Sequence, residues 1–260
     1  MPISLCMIVK DEENFLENCI CSVKRIVDEI IIVDTGSKDR TKEIAKKFTD
    51  NLYEFKWQDD FSAARNFSIE KSTKDWILIL DADETVSQND LKKIKNSIEN
   101  KDFAAYSFVQ RTYSNDEKRL KWNYAKNDNY EESRHFLGWS YRGITRLFRN
   151  DKRIKFIYPV HETVIESIKN IKGKIKQTCI PIHHFENQKS REFLNKKSDY
   201  YSKLLMKKIK KWPKAKFYFE LACELEGIDK AKSGFYFKKA TSLNLSYKNE
   251  NASNNHCYKK

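Results

Sequence analysis

Along the first hundred residues, apolar positions fall into short unbroken blocks separated by segments with a three-and-four spacing. Ile3 to Val9, Glu29 to Val33, Leu52 to Phe55 and Trp76 to Leu80 are the blocks. Each is too short for a helix that buries itself and reads as a strand, the first, second and fourth as buried ones and Leu52 to Phe55 as a shorter one. Between them, Phe15, Leu16, Cys19, Ile20, Val23, Ile26 and Val27 make one amphipathic helix. Ile44, Ala45 and Phe48 mark a second. Asp59-Asp60-Phe61-Ser62-Ala63-Ala64-Arg65-Asn66 leads into a third, which runs through about Lys71, and a fourth carries Leu91, Ile94 and Ile98. Strand and helix therefore alternate four times. That order predicts an α/β domain with a mostly parallel sheet and helices on both faces.

The polar residues that end the strands carry the chemistry. Right-handed crossovers bring the carboxyl ends of parallel strands to one edge of the sheet, where open α/β domains bind ligands. Lys10-Asp11-Glu12-Glu13-Asn14 follows the first strand, Asp34-Thr35-Gly36-Ser37 the second, and Asp81-Ala82-Asp83-Glu84 the fourth. An ionised Asp does not fit inside a buried strand, so Asp81 and Asp83 are expected just past its end. Closely spaced carboxylates there make a hard oxygen site suited to Mg2+ or Mn2+. Each group also has a plainer reading: an acidic turn for Asp81 and Asp83, a helix cap for Asp34, and for Arg65 a salt bridge to Asp59 or Asp60. Three loops delivering carboxylates to one rim favour a site. No Gly-x-Gly-x-x-Gly follows the first strand and no Walker-type Gly-x-x-x-x-Gly-Lys-Ser/Thr occurs, so a glycine cradle for phosphate is excluded.

After Asn100 the pattern changes. Phe103 to Gln110, Tyr141 to Arg149, Ile154 to Tyr158 and Lys174 to His184 read as further strands. Thr112 to Arg134 reads as a long polar loop whose Tyr113, Trp122, Tyr124 and Tyr130 either stack on a sugar or anchor the loop. Long loops of this kind are uncommon unless functional. His183 and His184 read as packed or surface imidazoles. From Ser190 the chain is helical and basic, and Lys214 to Leu243 has the texture of one tetratricopeptide-like helix pair. Residues 1–188 are expected to form the main domain, 189–260 a helical segment, and 248–260 a frayed end.

The chain of 260 residues carries a formal charge of +13 and six cysteines. Their spacing matches no zinc pattern, so reduced and mostly buried thiols are expected. The charge favours anionic partners such as a diphosphate or an acidic lipid surface. No zinc-finger spacing or aromatic RNA-binding signature accompanies the lysines, which argues against nucleic acid. No stretch reaches the ~20 apolar residues of a spanning helix, and Met1 to Val9 lacks the features of a signal peptide. A cytoplasmic protein is expected, with the basic tail suited to peripheral contact at the inner face of an anionic membrane.

Four blocks in order, Ser4 to Asn14, Ile30 to Arg40, Asp60 to Asn66 and Asp81 to Glu84, resemble the family-two glycosyltransferases of the GT-A fold. The likeness is close over residues 1–100 and looser through Arg146-Leu147-Phe148-Arg149 and His161-Glu162. It implies a nucleoside-diphosphate sugar as donor, a UDP-sugar foremost, a divalent Mn2+ or Mg2+ ion, and inverting transfer to an acceptor hydroxyl. It further implies that Asp34 binds the base, Glu12 lies near base or ribose, Arg65 faces the nucleotide, Asp81 contacts ribose or metal-bound water, and Asp83 ligates the metal. Where the family commonly has a Glu-Asp pair this chain has His161-Glu162. Glu162 becomes the candidate base, and His161 a further metal ligand or a partner behind one, against the plainer reading of a packed or surface imidazole. One of His183 and His184 could close over the diphosphate, although the plainer reading leads for both. The acceptor is left open among glycan, lipid-linked glycan or surface-polysaccharide precursor, and polypeptide.

Two other readings compete. A nucleotidyltransferase would use the acidic pair in the same way, but it would want a glycine- and lysine-rich loop in place of Lys10 to Asn14. A non-catalytic binding module would leave the acidic rim inert and dock a partner on the helical tail.

Overall fold

The computed structural model describes residues 1–118, 121–126, 128–185 and 191–243. The chain divides into two compact units. The larger holds 1–58, 62–157 and 163 to the end of the last strand; the smaller holds 59–61, 158–162 and the helices that follow that strand. The division expected at 188 and the tail 248–260 lie outside the described residues.

In the larger unit, β1 (Ile3–Val9), β2 (Glu29–Asp34), β3 (Leu52–Glu54) and β4 (Trp76–Ile79) alternate with α1 (Leu16–Val23), α2 (Thr41–Lys46) and α3 (Phe61–Glu70). The order β3-β2-β1-β4 is all parallel. These are the four blocks read from the sequence. Their period-two alternation explains why both faces are apolar. Leu5, Met7, Ile32, Trp76 and Leu78 pack with Leu16 and Ile20 of α1 and with Leu91 and Ile94 of α4 (Leu91–Ser97). Cys6, Ile31, Ile77 and Ile79 face the other way, onto Ile69 of α3, Phe148, Phe156 and Ile168 of α5 (Ile165–Asn170). Trp76 is fully buried, and truncating it to Ala would cost about 3–5 kcal/mol.

Beyond β4 the sheet changes sense. A two-residue strand β5 (Glu84–Thr85), the long β6 (Ala105–Ser114), β7 (Trp122–Tyr124), β8 (Gly138–Arg149) and β9 (Ile175–His184) extend it. β8 lies antiparallel to both β4 and β6, while β6 and β9 are parallel. The parallel sheet expected from the alternation is thus the first half, and the second half is mixed. Part of the expected loop after Thr112 is ordered as strand: β6 runs on to Ser114, and β7 pairs with β8. At Gly138, a Cβ atom would lie 2.2 Å from the Asn123 carbonyl oxygen, so only glycine allows this approach. The strand expected over Ile154 to Tyr158 is reduced to one bridge between Ile157 and Thr163, because 158–162 leaves the larger unit.

The smaller unit is built on α6 (Arg191–Lys211), α7 (Ala215–Leu225) and α8 (Lys230–Ser242). α7 and α8 form the helix pair read from the sequence, with the Tyr218 and Tyr236 rings stacked and Ser233 Oγ donating to the Ala222 carbonyl. Cys6 and Cys19 are buried and free, and Cys21 and Cys223 are exposed and free. Cys179 departs from the expectation of reduced thiols, since it is disulfide-bonded. Cysteine spacing carries no mark of such a bond when it matches no known framework. Cys257 lies outside the described residues.

Candidate active site

The carboxyl ends of β1, β2 and β4 form one edge. Register pairs Val9 with Asp34, and Cys6 with Ile79, so the loops after these strands emerge side by side. The first two are laced together. Asp11 N donates to Ser37 Oγ at 3.0 Å, Lys38 N to Asp11 Oδ1 at 2.7 Å, Glu12 N to Thr41 Oγ1 at 2.7 Å, and Glu13 N to Asp39 Oδ2 at 3.0 Å. Asp11 (φ 54°) and Gly36 (φ 113°) supply the left-handed corners. Glu12, half-buried, is thereby set beside the loop that carries Asp34.

Asp34 is 2% exposed. Its Oδ1 accepts from Gly36 N at 2.9 Å and Ser37 N at 3.0 Å, which closes a local turn. It does not cap a helix, since α2 begins at Thr41 with Arg40 at its N-cap. Its Oδ2 is buried without a hydrogen-bond partner. A buried acceptor left open carries a desolvation penalty of about 1–3 kcal/mol. That is the condition of an atom awaiting a donor from a ligand.

Asp81 is held by two arginines. Arg65 Nη2 donates to Oδ1 at 2.6 Å and Arg146 Nη2 to Oδ2 at 2.5 Å. Arg65 is buried, its guanidinium 5.5 Å from the Phe156 ring, and Asp81 is a carboxylate partner of it. Arg146, on β8, also donates to Glu84 Oε1 at 2.9 Å. Glu84 is fully buried, accepts from Gln110 Nε2, and its Oε2 accepts from Asp81 N at 2.9 Å. Burial alone would raise the Asp81 carboxyl, but Arg146 and Arg65 outweigh it and hold the group well below the usual carboxylate range. Asp81 is therefore a fixed anion committed to guanidinium groups. That suits contact with a nucleotide through Arg65 better than direct metal ligation.

Asp83, also buried, faces β9. Its Oδ1 lies 3.6 Å from His184 Nε2, and its carbonyl accepts from Phe185 N at 3.0 Å. Thr112 Oγ1 meets the other His184 ring nitrogen, Nδ1, at 3.1 Å. A partner at Nδ1 orients the imidazole with Nε2 toward Asp83, the usual arrangement behind a metal-ligating histidine. One carboxylate and one imidazole are a suitable donor set for Mn2+, with diphosphate oxygens and water completing the shell. No cluster of three or more His, Cys, Asp or Glu able to hold a metal by itself occurs among the described residues. His183, next to His184, is fully buried and packs between Tyr113 and Tyr130, with Tyr113 Oη 2.7 Å from its Nδ1. Burial and then Arg111 push this imidazole down to about 3, so it is neutral. Tyr113 and Tyr130 anchor the segment after β6, the plainer of their two expected roles, while Tyr124 is exposed.

His161 and Glu162 belong to the smaller unit. There the His161 ring meets Tyr201 edge-on at 5.9 Å, and its Nε2 lies 3.7 Å from Glu224 Oε1. Arg146 is the member of the site to which residue pattern gave no role; Glu84 stood in the acidic block, and His184 was one of two histidines read chiefly as packed or surface groups. A basic residue in a strand that reads as core, Arg146, and a polar pair ending an apolar strand, His183-His184, were the signals available.

A family model, glycosyl transferase family 2, matches residues 4–165. A TPR repeat-containing protein of Synechococcus elongatus is 37% identical over 166 residues, which are 64% of this chain and 36% of that protein. The SPbeta prophage-derived glycosyltransferase SunS of Bacillus subtilis is 33% identical over 158 residues, 60% of this chain and 33% of its own length. The chain thus spans about a third of the length of the curated relatives it matches first. An uncharacterized glycosyltransferase of Rickettsia conorii is 29% identical over 231 residues, covering 86% of this chain and 76% of that one. Among solved structures, S. aureus TarS 1-349 in complex with UDP-GlcNAc overlays with a TM-score of 0.54 at 14% identity, over 96% of this chain and 77% of that chain. The likeness to TarS is one of fold, the GT-A architecture. With the family model matched over residues 4–165, more than half of the chain, the chain belongs to glycosyl transferase family 2.

Proposed function

We propose that the chain is a glycosyltransferase that moves a sugar from a nucleoside-diphosphate sugar to an acceptor hydroxyl. The observation that carries this reading is the shared edge of β1, β2 and β4. There the open, buried Oδ2 of Asp34 and the Asp83–His184 pair offer one acceptor for a base and one donor set for a diphosphate-bound cation. Asp34 takes a hydrogen bond from the nucleobase, Glu12 sits toward base or ribose, and Arg65 with Asp81 lines the nucleotide. TarS was solved with UDP-GlcNAc, which supports a UDP-sugar as the first donor to test.

Asp83 and His184 would hold a Mn2+ or Mg2+ ion, with His161 as a further candidate, and the ion would supply positive charge against that developing on the departing diphosphate. The reaction is inverting: the acceptor oxygen attacks the anomeric carbon as the bond to the diphosphate breaks, and the hydroxyl proton passes to the Glu162 carboxylate. The acceptor is a glycan, a lipid-linked glycan or a polypeptide. No described helix is long and apolar enough to cross a membrane. The Lys-rich α6 supports peripheral contact with anionic lipid at the inner face of the membrane, and sedimentation with anionic vesicles tests that. Residues 1–188 act as the transferase domain and 189–260 as its helical segment.

A thermal-shift panel of UDP-, GDP- and CMP-sugars with and without Mn2+ tests the reading. One nucleotide class should stabilise the protein strongly, and more so with Mn2+. No shift with any nucleotide would favour the binding-module alternative. Release of pyrophosphate from a nucleoside triphosphate would favour the nucleotidyltransferase.

A further inference from the structure

The smaller unit contains a buried ammonium beside a strained turn. Tyr158 (φ 77°) and His161 (φ 48°) are both left-handed. For a bulky residue such as Tyr that region is a true outlier, and each such residue costs about 1–3 kcal/mol unless its surroundings over-determine it. They do. Pro159 O accepts from Phe61 N at 2.9 Å. The Tyr158 ring meets Trp212 and Phe217 at 5.2 and 4.7 Å, and its hydroxyl accepts from Lys214 Nζ at 2.9 Å. Between the two left-handed residues, the Val160 carbonyl accepts from Lys208 Nζ at 2.9 Å.

Lys208 is fully buried. Its ammonium lies 3.0 Å from Glu220 Oε2 on α7, 3.9 Å from the centre of the Phe217 ring and 4.8 Å from that of Tyr158. Burial pulls its pKa down, against the opposing pull of Glu220. A buried ion pair is weak evidence for stability, because apolar residues of the same volume often serve as well. Methionine would fill this space. What methionine does not supply is a donor to a carbonyl that no strand ladder satisfies.

We propose that Lys208 is a positioning residue: its ammonium, neutralised by Glu220, holds the Val160 carbonyl and with it the left-handed Tyr158–His161 turn that presents Glu162. The role assigned to the turn in catalysis rests on the reading of Glu162 as the base. On this view α6 and α7 brace a reacting group, and they are more than an appended docking segment.

The test compares the full-length chain with Lys208→Met and with the charge-free pair Lys208→Met/Glu220→Gln, which keeps a folded protein available if the single variant leaves Glu220 uncompensated. Amide hydrogen exchange of the peptide spanning 158–163 reads the turn without any donor. It should rise tenfold or more in the double variant, while exchange in β1, β2 and β4 stays unchanged. Steady-state transfer should then lose tenfold or more in kcat with donor KM unchanged. Unchanged exchange at the turn would overturn the proposal, as would a loosened turn with unchanged kcat. A wild-type chain that transfers no sugar would fail the activity reading alone, because the exchange result stands without it.

Discussion

Nε2 of His184 lies 3.6 Å from Oδ1 of Asp83, and a strand of two residues brings them together. β5 pairs Glu84 with His184 and Thr85 with His183, so the acidic end of β4 is fastened to the end of β9. The histidine enters the site by cross-strand register, which no local spacing encodes.

If this pair holds the cation, His184→Ala and Asp83→Asn should each remove the extra thermal stabilisation that Mn2+ confers with a nucleoside diphosphate. The stabilisation by nucleotide without metal should remain in His184→Ala. Titration of Mn2+ at fixed nucleotide checks this, and an apparent affinity within twofold of wild type in both variants would reject the pair as ligands.

The open oxygen of Asp34 makes a different prediction. Asp34→Asn keeps an acceptor for Gly36 N and Ser37 N but offers an amide N–H where Oδ2 stood. Nucleotide affinity should fall at least tenfold, about 1.4 kcal/mol, with the melting temperature of the free protein little changed. Calorimetric titration with a uridine diphosphate measures it.

Arg146 neutralises both Asp81 and the fully buried Glu84. Arg146→Met should destabilise the larger unit by about 3–5 kcal/mol, as expected when a buried pair loses one partner. Arg146→Met combined with Glu84→Gln should recover part of that loss. Urea denaturation followed by tryptophan fluorescence reads both.

Glu29 governs part of the acid limb of stability. It accepts from Ser4 Oγ at 2.5 Å and from Thr73 N and Oγ1 at 2.8 Å, joining β2 to β1 and to the turn before β4. Burial would raise its carboxyl, but the Ser4 and Thr73 hydrogen bonds prevail and lower it. A lowered folded-state pKa means stability present above the unfolded value of about 4.3, and lost as pH falls through the lower folded value. Glu29→Gln should be less stable than wild type at neutral pH, and its stability should fall less steeply below about pH 4.3. Thermal melts from pH 3 to 7 test the sign.

The first half of the fold was legible because it is written locally. Ile3–Val9, Glu29–Asp34 and Trp76–Ile79 are buried on both faces, so apart from Ser4 their interior positions are apolar and the blocks stand out. The alternation with helices then fixes parallel order and a common edge, which puts Asp34, Asp81 and Asp83 together without further information. The residues of β8 and β9 were legible as strands, but their place in the sheet was not. Antiparallel and crossover pairings between distant segments depend on which edges remain open once the first four strands have formed.

What the tertiary structure alone decided is therefore the set of partners. Sequence put Arg65 on a helix and Asp81 at the end of β4; folding decided that these two pair and that Arg146 of β8 joins Asp81 to Glu84. Sequence placed two histidines at the end of β9; only packing made His183 a neutral core group and turned His184 toward Asp83. The cause is the same in each case: periodicity reports which face of an element is apolar, whereas the neighbour of a polar side chain is set by register between segments far apart in the chain.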